Sequence, residues 1–161
     1  MTNPSAGTPL QFVYVTYIAT TPEELWAALT TGESTQQYFF GRRVEAEWRV
    51  GARITYWEKP RTVDIQGDIL AYDPPRRLSF TFMTPSDTTA REQPTRVTFE
   101  LKPMGRVVRL RLVHTNLIPE DFEDDPEVFQ GLNNGWPAIL ANLKTFLETG
   151  RPLDLAARRD A

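Results

Sequence analysis

At 161 residues, 40% of them hydrophobic and 11% aromatic, the chain is long enough to bury about two-thirds of its unfolded surface in one domain. A formal net charge of -3, without a long basic run, argues against an electrostatic nucleic-acid binder, and no nucleic-acid partner is expected. The absence of cysteine excludes disulfides, thiolate metal sites and a Cys nucleophile, and no apolar run approaches the ~20 residues that a bilayer span needs.

The opening MTNPSAGTPLQ has neither the basic start nor the apolar stretch of a secretory leader, so a cytoplasmic protein without membrane insertion is expected. Residues 1–10 are rich in Thr, Pro, Ser and Gly and read as a flexible N-terminus. Residues 11–20, QFVYVTYIAT, are dense in β-branched and aromatic side chains and predict a strand. TPEELWAALT then opens a helix: Thr21 caps it, Pro22 suits its first position, and Glu24 completes a capping box. Leu25, Trp26 and Leu29 give this helix one apolar face. After Gly32, ESTQQYFF forms a second short helix ending in aromatics.

From Arg42 to Thr115 the pattern has a period of two. Val44, Ala46 and Trp48 alternate with charged residues, and Ile54 and Tyr56, then Val63, Ile65, Gly67 and Ile69, alternate with polar or charged ones. Leu78, Phe80 and Phe82 follow, then Val97, Phe99 and Leu101, then Val108, Leu110 and Leu112. Half-buried strands in succession imply an antiparallel meander with one wet face and one buried face. The turns RVGAR, DPPRR and KPMGR are rich in Pro or Gly, and TPSDTTAREQP is a longer, mobile hairpin loop. A helix is then predicted from Asp125–Pro126 to Gly150, with Phe129, Leu132, Trp136, Leu140, Leu143 and Leu147 on one apolar stripe. It could run over some twenty residues, roughly 30 Å by rise alone. Within it, Asn133–Pro137 either kink one helix or break it, so that Pro137 opens a fresh one. Residues 151–161 read as a flexible C-terminal tail.

The expected class is therefore α+β. A curved antiparallel sheet of about seven strands wraps a long C-terminal helix, with two short helices between strands 1 and 2, all within a single domain over residues 11–150. Such wrapping leaves a cavity between helix and sheet, the usual place for an apolar ligand.

The stretches TTPEELWAALT, GDILAYDPPRRLSFTF, TRVTFEL and GWPAILANLKTFLETG occur in that order between Phe12 and Gly150. Together they resemble the bacterial Activator of Hsp90 ATPase homologue 1-like family, within the START-like (Bet v 1-like) superfamily of helix-grip folds. The resemblance implies a hydrophobic pocket that takes lipids, sterols, polyketides or aromatic molecules, and it implies no shared catalytic residue. It also leaves a Hsp90-type chaperone or regulator partner and a polyketide cyclase-like activity as alternatives.

The inward-facing candidates for ligand binding are Tyr14, Trp48, Tyr56, Phe80, Phe99, Leu110, Leu112, His114, Leu132, Trp136 and Leu140. Tyr and Trp carry a polar atom that needs a partner when buried. His114, the only histidine, shares strand parity with Leu110 and Leu112. It is either a polar anchor or proton acceptor at the pocket mouth, or a structural histidine hydrogen-bonded at the core edge. Glu58 shares parity with Tyr56 and is expected at the pocket rim. The acidic run EDFEDDPE lacks the spacing of a calcium loop and reads as a solvated loop favouring the next helix start. No phosphate-binding glycine loop, nucleophile elbow or zinc-binding His pair is present, and no cofactor or metal is expected.

Overall fold

The computed structural model describes residues 9–155, so most of the two expected flexible ends, 1–8 and 156–161, lies outside the described residues. In chain order the elements are β1 (Leu10–Ile18), α1 (Pro22–Thr30), α2 (Gly32–Tyr38), β2 (Arg43–Ala46) and β3 (Arg53–Lys59). There follow β4 (Thr62–Asp73), β5 (Arg77–Phe82), β6 (Thr95–Met104), β7 (Val107–Leu117), a 3-10 turn at Pro119–Asp121, and α3 (Leu132–Thr149). All neighbouring strands are antiparallel, in one sheet of order β1-β7-β6-β5-β4-β3-β2. This is the α+β helix-grip architecture, with α1 and α2 between the first two strands.

The alternation in the sequence accounts for the buried face. Leu78, Phe80, Val97, Phe99, Leu101, Val108, Leu110 and Leu112 are all buried, and Trp136, Ile139, Leu140 and Leu143 of α3 close onto the same core. Each such large side chain stabilises the fold by roughly 1.5–3 kcal/mol. Gly67 is needed where β4 runs under β5, because a Cβ there would sit 1.7 Å from the Thr81 carbonyl oxygen.

The first helix starts as its sequence implies, with one difference. Thr21 Oγ1 accepts the Glu24 N–H at 3.1 Å, but the Glu24 carboxylate accepts the Thr20 hydroxyl at 3.1 Å instead of closing the capping box. α2 is fixed from both sides: the Val44 N–H donates to Thr35 Oγ1 at 2.9 Å, and the Tyr38 hydroxyl donates to the Ala28 carbonyl at 2.8 Å. That anchoring aims the next residue, Phe39, into the core.

Three expectations change. α3 begins at Leu132 instead of Asp125, because Gly131 takes φ 79 and residues 122–131 form an irregular segment. Phe129 is therefore off the buried stripe; it is 48% exposed and packs on Phe40, with ring centroids 5.7 Å apart. Strand β2 stops at Ala46, so Trp48 lies in a bend beyond it and stacks on Tyr72 at 6.3 Å. Register shifts on both sides of Trp57 break the alternation of β3, and Glu58 is exposed.

Asn133 and Asn134 lie in the first turn of α3, where their side chains hold the irregular segment. Asn133 Oδ1 accepts the Glu123 N–H at 2.9 Å and its Nδ2 donates to the Glu123 carbonyl at 2.8 Å. Asn134 Nδ2 donates to the Asp125 carbonyl at 2.8 Å. A single helix continues through Pro137, which sits one turn inside it. The missing proline N–H withdraws the usual donor from the Asn133 carbonyl. The buried stripe that follows offsets that loss.

Candidate functional site

An open cavity of about 1380 Å3 lies between the first half of α3, the 3-10 turn, the β5–β6 loop and the α2–β2 junction. Its apolar wall is built by Phe39, Phe82, Trp136, Ile139, Ile65 and Leu117. Phe39 meets Trp136 edge-on at 5.6 Å, Phe82 meets Trp136 at 5.7 Å, and Phe99 backs Trp136 at 6.1 Å. The rings interlock in tilted and edge-to-face arrangements, the preferred geometries for aromatic pairs.

A chain of hydrogen bonds runs through this wall. Trp136 Nε1 donates to His114 Nδ1 at 3.0 Å. Indole N–H only donates, so Nδ1 is the acceptor and the ring proton of neutral His114 lies on Nε2. Nε2 donates to Thr95 Oγ1 at 3.0 Å, and the Thr95 hydroxyl donates in turn to the Phe82 carbonyl. Both nitrogens of His114 are thus used within the protein. Burial pushes its pKa down to about 4, with the nearby Asp121 carboxylate opposing and the Arg91 cation adding to the shift. At neutral pH this imidazole is uncharged.

Two arginines mark the polar rim. Arg91, with only 9% of its side chain exposed, donates through Nη1 to Asp121 Oδ2 at 2.8 Å and through Nη2 to Asp121 Oδ1 and Asp87 Oδ2. Hydrogen bonding to Asp121 raises the pKa of Arg91 against the cost of burial. Burial raises the Asp121 pKa, but the bonds from Arg91 and from the Ile118 N–H hold the carboxyl below its usual range. Asp87 falls to about 2, chiefly through its bonds from Thr89 and also through Arg91. Arg91 therefore ties the β5–β6 loop to the 3-10 turn at the cavity mouth. On the opposite rim Arg42 pairs with Asp64 and lies 5.5 Å from the centre of the Phe39 ring.

Of the residues singled out from the sequence, His114, Leu132 and Trp136 line the cavity. Tyr56, Phe80, Phe99, Leu110, Leu112 and Leu140 are buried in the core behind the wall. Tyr14 is half-buried on β1, with its ring parallel to Phe12 at 6.5 Å, and Trp48 lies with Tyr72; neither lines the cavity. Phe39, Thr95, Arg91 and Asp121 are cavity residues that sequence reasoning missed. Thr95 shares strand parity with Val97 and Phe99, a usable signal. Arg91 and Asp121 stand in loops without periodicity and offered none.

Among the described residues, no group of three or more His, Asp or Glu side chains is placed to hold a metal ion, and no helix is long and apolar enough to cross a membrane. Residues 151–155 return toward the cavity, where the Leu153 N–H donates to Asn142 Oδ1 at 2.6 Å and Leu153 joins the lining.

The family profile described as "Activator of Hsp90 ATPase homolog 1-like protein" matches residues 19–148. No curated protein gives a significant match. Among solved structures, CalU16 from Micromonospora echinospora is 20% identical over 93% of this chain and 83% of that one, with a TM-score of 0.67. MLL2253 from Mesorhizobium loti is 24% identical over 86% and 96%, with a TM-score of 0.67. PFC0360w from Plasmodium falciparum, described as an HSP90 activator, is 19% identical over 88% and 96%, with a TM-score of 0.66. At these identities the likeness is one of fold.

Proposed function

The chain belongs to the Activator of Hsp90 ATPase homolog 1-like family, and from that premise we propose that it binds a small apolar or aromatic molecule in the cavity beside α3. The observation that carries this reading is the cavity of about 1380 Å3 with an aromatic wall. Ligand sites are concave and mostly apolar, with a few placed polar groups. The ligand would lie against Phe39, Phe82, Trp136 and Ile139. Five carboxylates line the cavity (Asp64, Asp87, Asp121, Glu127 and Asp154) against the two guanidiniums of Arg42 and Arg91, which favours a neutral ligand over an anion. The cytoplasm is the compartment in this reading.

Both ring nitrogens of His114 have partners, which weighs against a cyclase-like reaction using it as general base. Its role in this reading is to hold Trp136 in the wall. The neutral fluorophore N-phenyl-1-naphthylamine tests the proposal: saturable enhancement that small apolar competitors reverse supports it. No enhancement up to the solubility limit of the probe argues against it.

The family match favours a second reading, a surface that engages a Hsp90-type chaperone. Stimulation of the ATPase of a purified Hsp90 by this chain would support that reading, and an unchanged rate would remove it.

A further inference from the structure

The two edges of the sheet are built differently. β2, at one edge, has four residues and carries Arg43 and Glu45, with Glu47 and Arg49 just beyond it. β1, at the other edge, is the nine-residue LQFVYVTYI, with no charge and no proline. Its outer face presents Val13, Val15 and Tyr17, each between 39% and 48% exposed. An edge strand offers unpaired backbone groups to any passing strand, and natural sheets blunt such edges with charges, proline or short length. β2 is short and charged, and β1 is neither.

The helix α3 closes only one end of the β1 edge. Lys144 Nζ donates to the Tyr17 carbonyl at 2.6 Å, and the Ala19 N–H donates to Glu148 Oε2 at 2.8 Å. Among the described residues, no side chain bonds the backbone of residues 11–15. In sequence, residues 1–9 hold only Met1 and Ala6 as non-proline apolar side chains, and proline at positions 4 and 9 has no N–H to donate to a ladder.

We propose that β1 pairs antiparallel with β1 of a second copy of this chain, joining the two sheets into one. The strand is self-complementary. With Tyr14 at the two-fold axis, Val13 stands opposite Val15 of the partner subunit, and the outer-face valines of both copies form one apolar row. The charges also permit it. The nearest outer-face cations, Arg109 and Arg111, sit on β7 opposite Tyr17 and Val15. In the joined sheet the two β7 strands are three strand spacings apart, about 14 Å, beyond the ~8 Å screening length at physiological salt. A single strand pair buries less surface than the ~1,200–2,000 Å2 of a permanent interface, so the dimer is expected to dissociate on dilution.

Sedimentation velocity on the full chain, from low micromolar to the highest soluble concentration, tests the proposal. The expected result is a rise from 18.4 kDa toward twice that mass, with alternate backbone amides within residues 11–15 gaining protection from hydrogen exchange as the mass rises. Val13→Lys combined with Val15→Lys should stay monomeric with an unchanged circular dichroism spectrum, since both side chains are exposed. A wild type that is monomeric at every concentration overturns the proposal. So does a dimer whose residue 11–15 amides stay unprotected, or one that survives the double substitution. The exchange readout needs no variant and stands if the double substitution fails to fold.

Discussion

The indole N–H of Trp136 donates to Nδ1 of His114 across 3.0 Å, and that bond joins the helix α3 to the last strand at the cavity wall. Trp136 keeps its polar atom paired while its ring faces Phe39, Phe82 and Phe99. The histidine must be neutral to accept, so the packing of the wall is tied to one titration.

That titration makes the first prediction. The folded pKa of His114 is depressed from 6.5 to about 4, so the unfolded chain binds more protons between these values. The contribution is fully present above pH 6.5 and is lost as pH falls toward 4. It amounts to about 3 kcal/mol. The aspartates behave differently: Asp87, lowered from 3.8 to about 2, loses its contribution only below 3.8. Chemical denaturation followed between pH 6.5 and 4.5 isolates the histidine, and the single His C2–H resonance should titrate near pH 4. A titration near 6.5 would show an imidazole open to water.

Trp136 is both core and wall, being 3% exposed while lining the cavity. Trp136→Phe keeps most of the ring but leaves His114 Nδ1 without a donor, which should cost about 1–3 kcal/mol. Trp136→Ala also removes the packed ring and should cost about 3–5 kcal/mol. Urea unfolding of both variants checks the order, and equal losses would mean that the hydrogen bond contributes nothing.

Arg91 holds the mouth together. Arg91→Met preserves much of the stem but strands Asp121 and frees the β5–β6 loop, at a cost of about 1–3 kcal/mol for charge-assisted hydrogen bonds. Hydrogen exchange should quicken in residues 84–94 and 118–122 while the β6–β7 ladder keeps its protection. Arg91→Lys should not restore the wild-type rates, because an ammonium cannot make the bidentate contact.

Pro137 is a local cost inside an otherwise continuous helix. Pro137→Ala supplies an N–H for the Asn133 carbonyl and removes the ring clash, against a loss of unfolded-state restriction. The net expectation is a gain of about 1–2 kcal/mol. A thermal midpoint that falls instead would mean that the proline sets the geometry of the α3 entry.

Much of the fold could be read from period two. The inward rows of β5, β6 and β7 are the residues that alternation picks out, because one face of a sheet is dry and the other wet. The same logic failed at Trp48 and Glu58, where a bend and register shifts end the alternation. It failed at Phe129 because helical spacing runs on through Gly131, whose positive φ stops the helix. The cavity was less legible than the core. Its depth comes from side chains brought together by tertiary structure, such as Phe39 after α2 with Phe82 from β5. Its rim rests on Arg91 and Asp121, thirty residues apart in two loops.

In the proposed function the cavity beside α3 takes a small neutral apolar molecule. The most direct measurement is an amide and indole chemical-shift titration with N-phenyl-1-naphthylamine. Saturable shifts are expected at the Trp136 indole N–H and at the amides of Phe39, Phe82, Leu132 and Ile139, with the outer-face amides of β1 unmoved. Shifts confined to the outer face of the sheet, or none at the solubility limit, would contradict it.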